Sequence, residues 1–190
     1  MEKKFELTDK FVINAFGIKL FQIKCTKSFK YANEGDLGGY VEKEDNLSQS
    51  GDAWVSGDAQ VYGDALVSGD AQVYGNARVS GNAQVSGDAL VSGDAWVSGD
   101  ALVSGDAQVY GNARVENNHM HCGFDCFGSC NRHTHAYKTK GNKVEITCGC
   151  FRGNIEEFER KVEETHSGTI YEKQYKAIIN LIKIKFGIDG

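Results

Sequence analysis

The chain has 190 residues, with 21 Lys+Arg against 26 Asp+Glu and a formal net charge of −5, a balance too acidic for a general nucleic-acid binder. It contains no proline, where average usage would give about nine, and 11 of its 23 glycines fall in residues 51–116, which excludes a collagen-like or proline-rich chain. No run of about 18 or more apolar residues occurs, and the start Met1-Glu-Lys-Lys-Phe-Glu6 lacks the apolar core of a secretory signal. The chain is therefore expected to be soluble and cytoplasmic, with no membrane partner. Its six cysteines (Cys25, Cys122, Cys126, Cys130, Cys148, Cys150) then read as reduced thiols or metal ligands rather than disulfides.

Residues 5–32 are rich in Phe, Ile, Val and Leu, with alternating stretches at Phe11-Val-Ile-Asn14 and Ile18–Lys24. They predict two or three short strands joined near Asn14-Ala-Phe-Gly17. The segment 1–38 is expected to cap the structure that follows, whose first strand edges would otherwise be open.

From Gly51 to Glu116 the chain repeats Gly-(Asp/Asn)-Ala-x-Val-(Ser/Tyr/Glu) eleven times without an insertion. Ala and Val stand two apart, so on an extended segment both point inward while x and the residue after Val point outward. Gly takes positive φ freely and Asp or Asn tolerates left-handed backbone, so each Gly-Asp or Gly-Asn pair is a corner. Two degenerate units precede the clean ones, with Val41 and Leu47 in the Ala register, 12 and 6 residues before Ala53. The coil region is thus expected over 39–116, about four coils and about 20 Å tall at the usual strand spacing.

This pattern of Val55 then Ala59, Val61 then Ala65, onward to Val109 then Ala113 resembles that of the transferase-hexapeptide superfamily. The resemblance implies a left-handed parallel β-helix with three hexapeptides per coil and trimers packed along the coil axis. Acyltransferases of that superfamily rely on a histidine base in or beside the coils, and its γ-type carbonic anhydrases bind zinc through histidines of neighbouring subunits. Here all five histidines (His119, His121, His133, His135, His166) follow the last repeat, and the clean repeats contain no Lys, Cys or Thr. Without a base in reach the many Ser hydroxyls are weak nucleophiles. A non-enzymatic scaffold is therefore expected, with a hexapeptide acyltransferase whose site lies between subunits as the alternative.

Taking every third hexapeptide together gives three outer faces. The first carries Trp54/Ser56, Gln72/Tyr74, Leu90/Ser92 and Gln108/Tyr110, and is the richest in large apolar groups, so Trp54, Tyr74, Leu90 and Tyr110 are the candidate oligomer face. The corner leading into that face holds Asp52, Asp70, Asp88 and Asp106, while the other two alternate, as Asp58, Asn76, Asp94, Asn112 and as Asp64, Asn82, Asp100. Alternation keeps like charges from sitting one strand apart. The all-Asp row forgoes that relief and is the candidate contact for a cation or a basic partner. Residues 51–116 hold eight Asp and Glu116 against Arg78 and Arg114, so all of the imbalance lies on the coil. An acidic rod of this kind can imitate the phosphate ladder of a duplex in a nucleic-acid-binding groove.

The lead-in Glu34–Gln49 and, after the coil, Gly128-Ser129, Cys148-Gly-Cys-Phe-Arg-Gly153, Glu156-Glu-Phe158 and Glu164-Thr-His166 resemble uncharacterised hexapeptide-repeat proteins of bacteriophage and prophage genomes. What the resemblance implies is a phage setting, in the cytoplasm of an infected or lysogenic bacterial host. Residues 117–190 read as a small α+β domain, with strands at His133–Thr139 and Lys143–Cys148 around Lys140-Gly-Asn142. Asn154 with Glu157 makes a capping box that opens a helix with Ile155, Phe158 and Val162 inward. Thr169 with Glu172 opens a second, with Tyr171, Tyr175, Ile178 and Ile182 on one stripe. His119, His121, Cys122, Cys126, Cys130, His133 and His135 form the candidate zinc site, since thiols and imidazoles at tetrahedral spacing would staple a small domain. Their Cys-x3-Cys-x3-Cys spacing is not the paired Cys-x2-Cys of common zinc modules, and the other reading is buried thiols and surface histidines with no cofactor. Cys148 and Cys150 are expected to fill core, and His166 to meet the last carbonyls of its helix.

The fold class expected is mainly β, a left-handed parallel β-helix (39–116) with an N-terminal β cap (1–38) and a C-terminal α+β domain (117–190). The function expected is a phage-type scaffold that oligomerises, most simply as a trimer, and engages an unknown host or phage protein without contacting nucleic acid directly. Inhibition of a host defence or nucleic-acid-handling protein is one such role. A purely structural assembly protein is the other.

Overall fold

Each hexapeptide of the repeat turns one corner and lays down one two-residue strand. In a computed structural model, which describes residues 3–188, the chain divides into two compact units, 1–117 and 118–190.

The first unit begins with β1 (Phe5–Ile13), β2 (Lys19–Cys25) and β3 (Leu37–Val41), then eleven short strands from β4 (Trp54–Val55) to β14 (Arg114–Val115). Every third strand stacks, giving sheets β4-β7-β10-β13, β6-β9-β12, and β5-β8-β11-β14 continued by β3, β2 and β1. Residues 18 apart pair in parallel, as Leu90 does with Gln72 and Gln108. The result is a three-sided β-solenoid. Every Ala and Val of the repeat is buried, none more than 3% exposed, and this narrow core accepts little that is larger. The glycine opening each hexapeptide has φ between 59° and 72°, where any other L-residue is strained.

The first coil departs from the expected register. Val41 pairs with Val61 and Leu47 with Val67, offsets of 20 rather than 18, so both occupy Val sites and not the Ala sites read from the sequence. The two extra residues fall at the Gln49-Ser50 corner, after which Trp54 pairs with Gln72 at the regular offset. The extra length holds the chain start in place. Gln49 Oε1 accepts the N–H groups of Lys4 and Phe5 at 2.8 and 3.3 Å, and its amide donates to the Phe5 carbonyl at 3.1 Å.

The expected N-terminal strands form an antiparallel hairpin, with Phe11 opposite Phe21 and Ile13 opposite Lys19. Asn14 Oδ1 accepts the N–H groups of Phe16 and Ile18 at its turn. Two carbonyl pairs at the open end of the solenoid are closed by buried side chains. Lys4 Nζ donates to Gly51 and Ala53 at 3.1 and 2.8 Å, and Asn46 Nδ2 to Gly63 and Ala65 at 3.0 and 2.9 Å. Unpaired buried carbonyls are costly, so these two residues do at the first coil what the next strand does elsewhere.

The second unit is an antiparallel sheet of β15 (His121–Phe127), β16 (Arg132–Lys138), β17 (Val144–Cys148) and β18 (Phe151–Gly153), followed by α1 (Ile155–His166) and α2 (Ile170–Phe186). Its core joins Ala136, Ile146 and Cys148 of the sheet to Phe158 and Val162 of α1 and Ile178 and Ile182 of α2. The Asn154–Glu157 capping box forms as the sequence indicates, each side chain bonding the other's backbone N–H at 2.8 Å. β15, by contrast, is a strand beyond the two expected at His133–Thr139 and Lys143–Cys148, and it carries the candidate zinc ligands His121, Cys122 and Cys126.

Candidate functional site

The corner rows of the solenoid obey the charge logic of the sequence. Asn76 donates to Asp94 and Asn82 to Asp100, each at 3.0 Å across adjacent coils, so an amide lies between carboxylates at both alternating corners. The row Asp52, Asp70, Asp88, Asp106 has no amide, and its residues meet different surroundings. Asp70 Oδ1 accepts the Asp52 N–H at 3.2 Å. The Lys4 ammonium lies at this end of the row; burial lowers its pKa to about 8, and the carboxylates of Asp52 and Asp70 partly oppose that fall. Lys30 has a raised pKa, mainly through the Tyr31 hydroxyl, with Asp70 and Asp88 adding attraction. Asp88 and Asp106 are exposed. Lys4 and Lys30 were not singled out from the sequence, because nothing local marks either as facing residues 40 or more positions away.

The first outer face is smaller than expected. Trp54 is only 5% exposed, because the Phe29 ring meets it edge-on at 5.4 Å, so it is covered by the N-terminal segment and does not belong to a free oligomer face. Tyr74 is exposed and Leu90 and Tyr110 are half-buried. On the next face Trp96 is treated alike. Phe16 at the hairpin turn reaches its ring at 5.9 Å, Arg114 stacks over it at 5.6 Å, and its indole N–H donates to Ser80 Oγ at 3.0 Å. Both tryptophans of the chain are thus held by intramolecular contacts.

The seven candidate zinc ligands do not converge. Successive residues of a strand face opposite sides, and Cys122 pairs with Ala136, turning with Phe124 toward the helix-covered core, while His121 lies opposite Tyr137 on the other side. Cys126 takes φ 63° at an irregularity in β15 and is exposed, Cys130 is exposed in the following turn, and His119 is exposed before the strand. Among the described residues no group of three or more His, Cys, Asp or Glu is placed to hold a metal ion. The histidines bond otherwise. His121 Nδ1 and His135 Nε2 are hydrogen-bonded to each other at 3.0 Å, and His133 Nδ1 donates to Asp125 at 2.5 Å. Burial lowers the His121 pKa to about 4, with Lys185 adding to the fall, and raises that of Cys122 to about 11. A carboxylate orienting an imidazole is half of a nucleophile-activating arrangement; among the described residues the other ring nitrogen, His133 Nε2, is buried without a hydrogen-bond partner.

Two smaller expectations also change. Cys148 is buried as expected, but Cys150 is exposed. His166 does not meet its helix's last carbonyls and instead stacks on Tyr175 at 5.5 Å.

Parallel coils, a glycine corner every six residues and an Ala/Val interior define a β-solenoid repeat protein. Residues 59–73, 71–85, 83–99 and 107–119 match the family model described as YdcK beta solenoid repeat, to which the coil is therefore similar. Comparison with the curated proteins gives no significant match. No helix among the described residues is long and apolar enough to cross a membrane.

Proposed function

We propose that this chain is a non-enzymatic binding protein whose solenoid presents carboxylates to a basic protein partner. The observation that carries it is the unequal treatment of the corners: two rows interleave Asn with Asp and bond them coil to coil, while the third stacks carboxylates at about 4.8 Å and leaves Asp88 and Asp106 in solvent. The row already attracts the chain's own Lys4 and Lys30, which supports a basic contact. A ladder of this kind suits a groove that otherwise takes a nucleic-acid backbone. With the phage-type flanks, the reading extends to a cytoplasmic protein of an infected or lysogenic bacterium that occupies a host defence or nucleic-acid-handling protein. It winds left-handedly like the hexapeptide proteins it resembles and assembles as a trimer through Tyr74, Leu90 and Tyr110.

The test is capture from a bacterial host lysate at low salt with the full chain as bait, against Asp88→Asn/Asp106→Asn. A basic protein retained by the parent and lost from the double variant, with loss also on raising salt, is the expected result. Equal capture by both proteins would refute the row as the contact. Light scattering of Tyr74→Glu/Leu90→Glu separately decides the assembly: a monomer from a trimeric parent is expected, and a monomeric parent overturns the seam.

A further inference from the structure

In the second unit two turns, one after β15 and one after β17, meet the region where α1 gives way to α2, and they border an open cavity of about 260 Å³. Each turn contains a glycine with positive φ, Gly128 at 74° and Gly149 at 59°. Both glycines hold a backbone conformation that strains other L-residues, and each packs against a side chain. A Cβ at Gly128 would overlap the Tyr175 hydroxyl, and one at Gly149 would strike the Arg132 guanidinium. The Gly128 N–H donates to Gln174 Oε1 at 2.9 Å, fixing the first turn against α2. The short runs around Gly128, Cys148 and His166, separated by tens of residues in the chain, all reach this one cavity.

Its walls are of two kinds. Phe151, Phe158 and Tyr175 form an aromatic side, with ring centroids 5.0 and 5.6 Å apart. Arg132, Lys161 and His166 form the polar side with the Ser129 and Thr165 hydroxyls, and no carboxylate lines the space, although Lys161 pairs with Glu164 at 3.4 Å. Arg132 has no ion pair among the described residues, and the His166 ring stacks on Tyr175 and meets Tyr171 edge-on. At the floor the buried Cys148 thiol accepts from Thr134 Oγ1 at 3.3 Å and lies 3.8 Å from the Tyr175 hydroxyl. Burial chiefly, and then Cys148, raises the pKa of that hydroxyl, so it remains a neutral donor.

A guanidinium without a carboxylate, beside a second cation and an aromatic wall, matches one ligand chemistry. We infer that the cavity binds a small organic anion, a carboxylate or phosphate carried on an aromatic or aliphatic body, with the headgroup on Arg132 and His166 and the body against Phe151, Phe158 and Tyr175. This site is independent of the solenoid's carboxylates.

The experiment titrates the full chain with phenyl phosphate, benzoate and the neutral benzyl alcohol, followed by calorimetry and by amide shifts of the two turns. Saturable binding of at least one anion is expected, with shifts at Gly128 and Gly149 and with benzyl alcohol weaker by about tenfold or more, the usual scale of a charge-assisted bond. Preference between the two anions names the headgroup. Arg132→Ala should lose about tenfold or more of the anion affinity, while Arg132→Lys, keeping the charge without the fork, should recover part of it. Absence of saturable binding by both anions, benzyl alcohol binding as tightly as they do, or undiminished affinity in folded Arg132→Ala would each overturn the assignment.

Discussion

Asn76 donates its side-chain amide to the carboxylate of Asp94, the residue 18 positions on and one coil away, at 3.0 Å. The same relation holds between Asn82 and Asp100. Stacking places equivalent corner residues about 4.8 Å apart, a distance at which two carboxylates repel and an amide beside a carboxylate bonds. Asn76→Asp should therefore destabilise the solenoid by about 0.5–1 kcal/mol at low ionic strength, an effect that shrinks with added salt. Asp88→Asn, in the row without amides, should be neutral or stabilising. Thermal melts of both variants at low and high salt check the pair; equal behaviour would remove the charge account of the corners.

The repeat was legible because one hexapeptide solves one local problem, a glycine corner and two inward residues, and solves it identically each time. Where that local logic is interrupted, reading fails. Val41 and Leu47 were displaced by the two extra residues at Gln49-Ser50, whose purpose is visible only when the Gln49 side chain is seen on Lys4 and Phe5. β15 was missed because its alternation, Cys122 and Phe124 inward against His121 and Asp125 outward, is broken at Cys126. Thiols four residues apart then looked like ligands. The burial of Trp54 and the cavity around Arg132 were beyond reach, since each depends on segments distant in the chain.

The histidine face predicts a pH dependence with a definite sign. The His121 pKa is about 4 in the folded chain, against about 6.5 unfolded, so between these values the unfolded state binds more protons. Stability is then fully present above about pH 6.5 and falls as pH drops toward 4. His121→Gln should flatten this part of the profile. Melting temperatures from pH 7 to 4 test it, and a parallel profile for the variant would assign the acid loss to other groups.

The separation of Cys122, on the core side of β15, from His121, on the other side, predicts the metal behaviour. Protein purified without added zinc should carry well under one equivalent of metal per chain, and a chelator should leave its melting temperature unchanged. Stoichiometric zinc, lost together with stability on chelation, would show that the ligands rearrange to meet an ion.

At Gly38 and Gly39 the backbone of β3 lies tightly against the solenoid. A Cβ on Gly38 would stand 2.5 Å from the Ile23 side chain and 2.7 Å from the Val55 carbonyl oxygen, and one on Gly39 would stand 2.8 Å from the Ala59 carbonyl oxygen. Neither residue has positive φ, so the constraint is space and not backbone conformation. Backbone oxygens cannot withdraw as the end of a flexible side chain would. β3 must instead move off β5, loosening the Tyr40–Ala59 hydrogen bond at 2.9 Å and the hairpin beyond it. Gly39→Ala should thus cost about 1–3 kcal/mol, the usual scale of overpacking. The loss should concentrate at the first coil, because a solenoid transmits stability between nearest neighbours. Hydrogen exchange resolves this: amides of residues 20–42 should lose protection while those of residues 84–103 keep theirs. Uniform loss along the coil would mean that the hairpin and the solenoid unfold as one cooperative body, and unchanged protection would mean that the methyl group is accommodated.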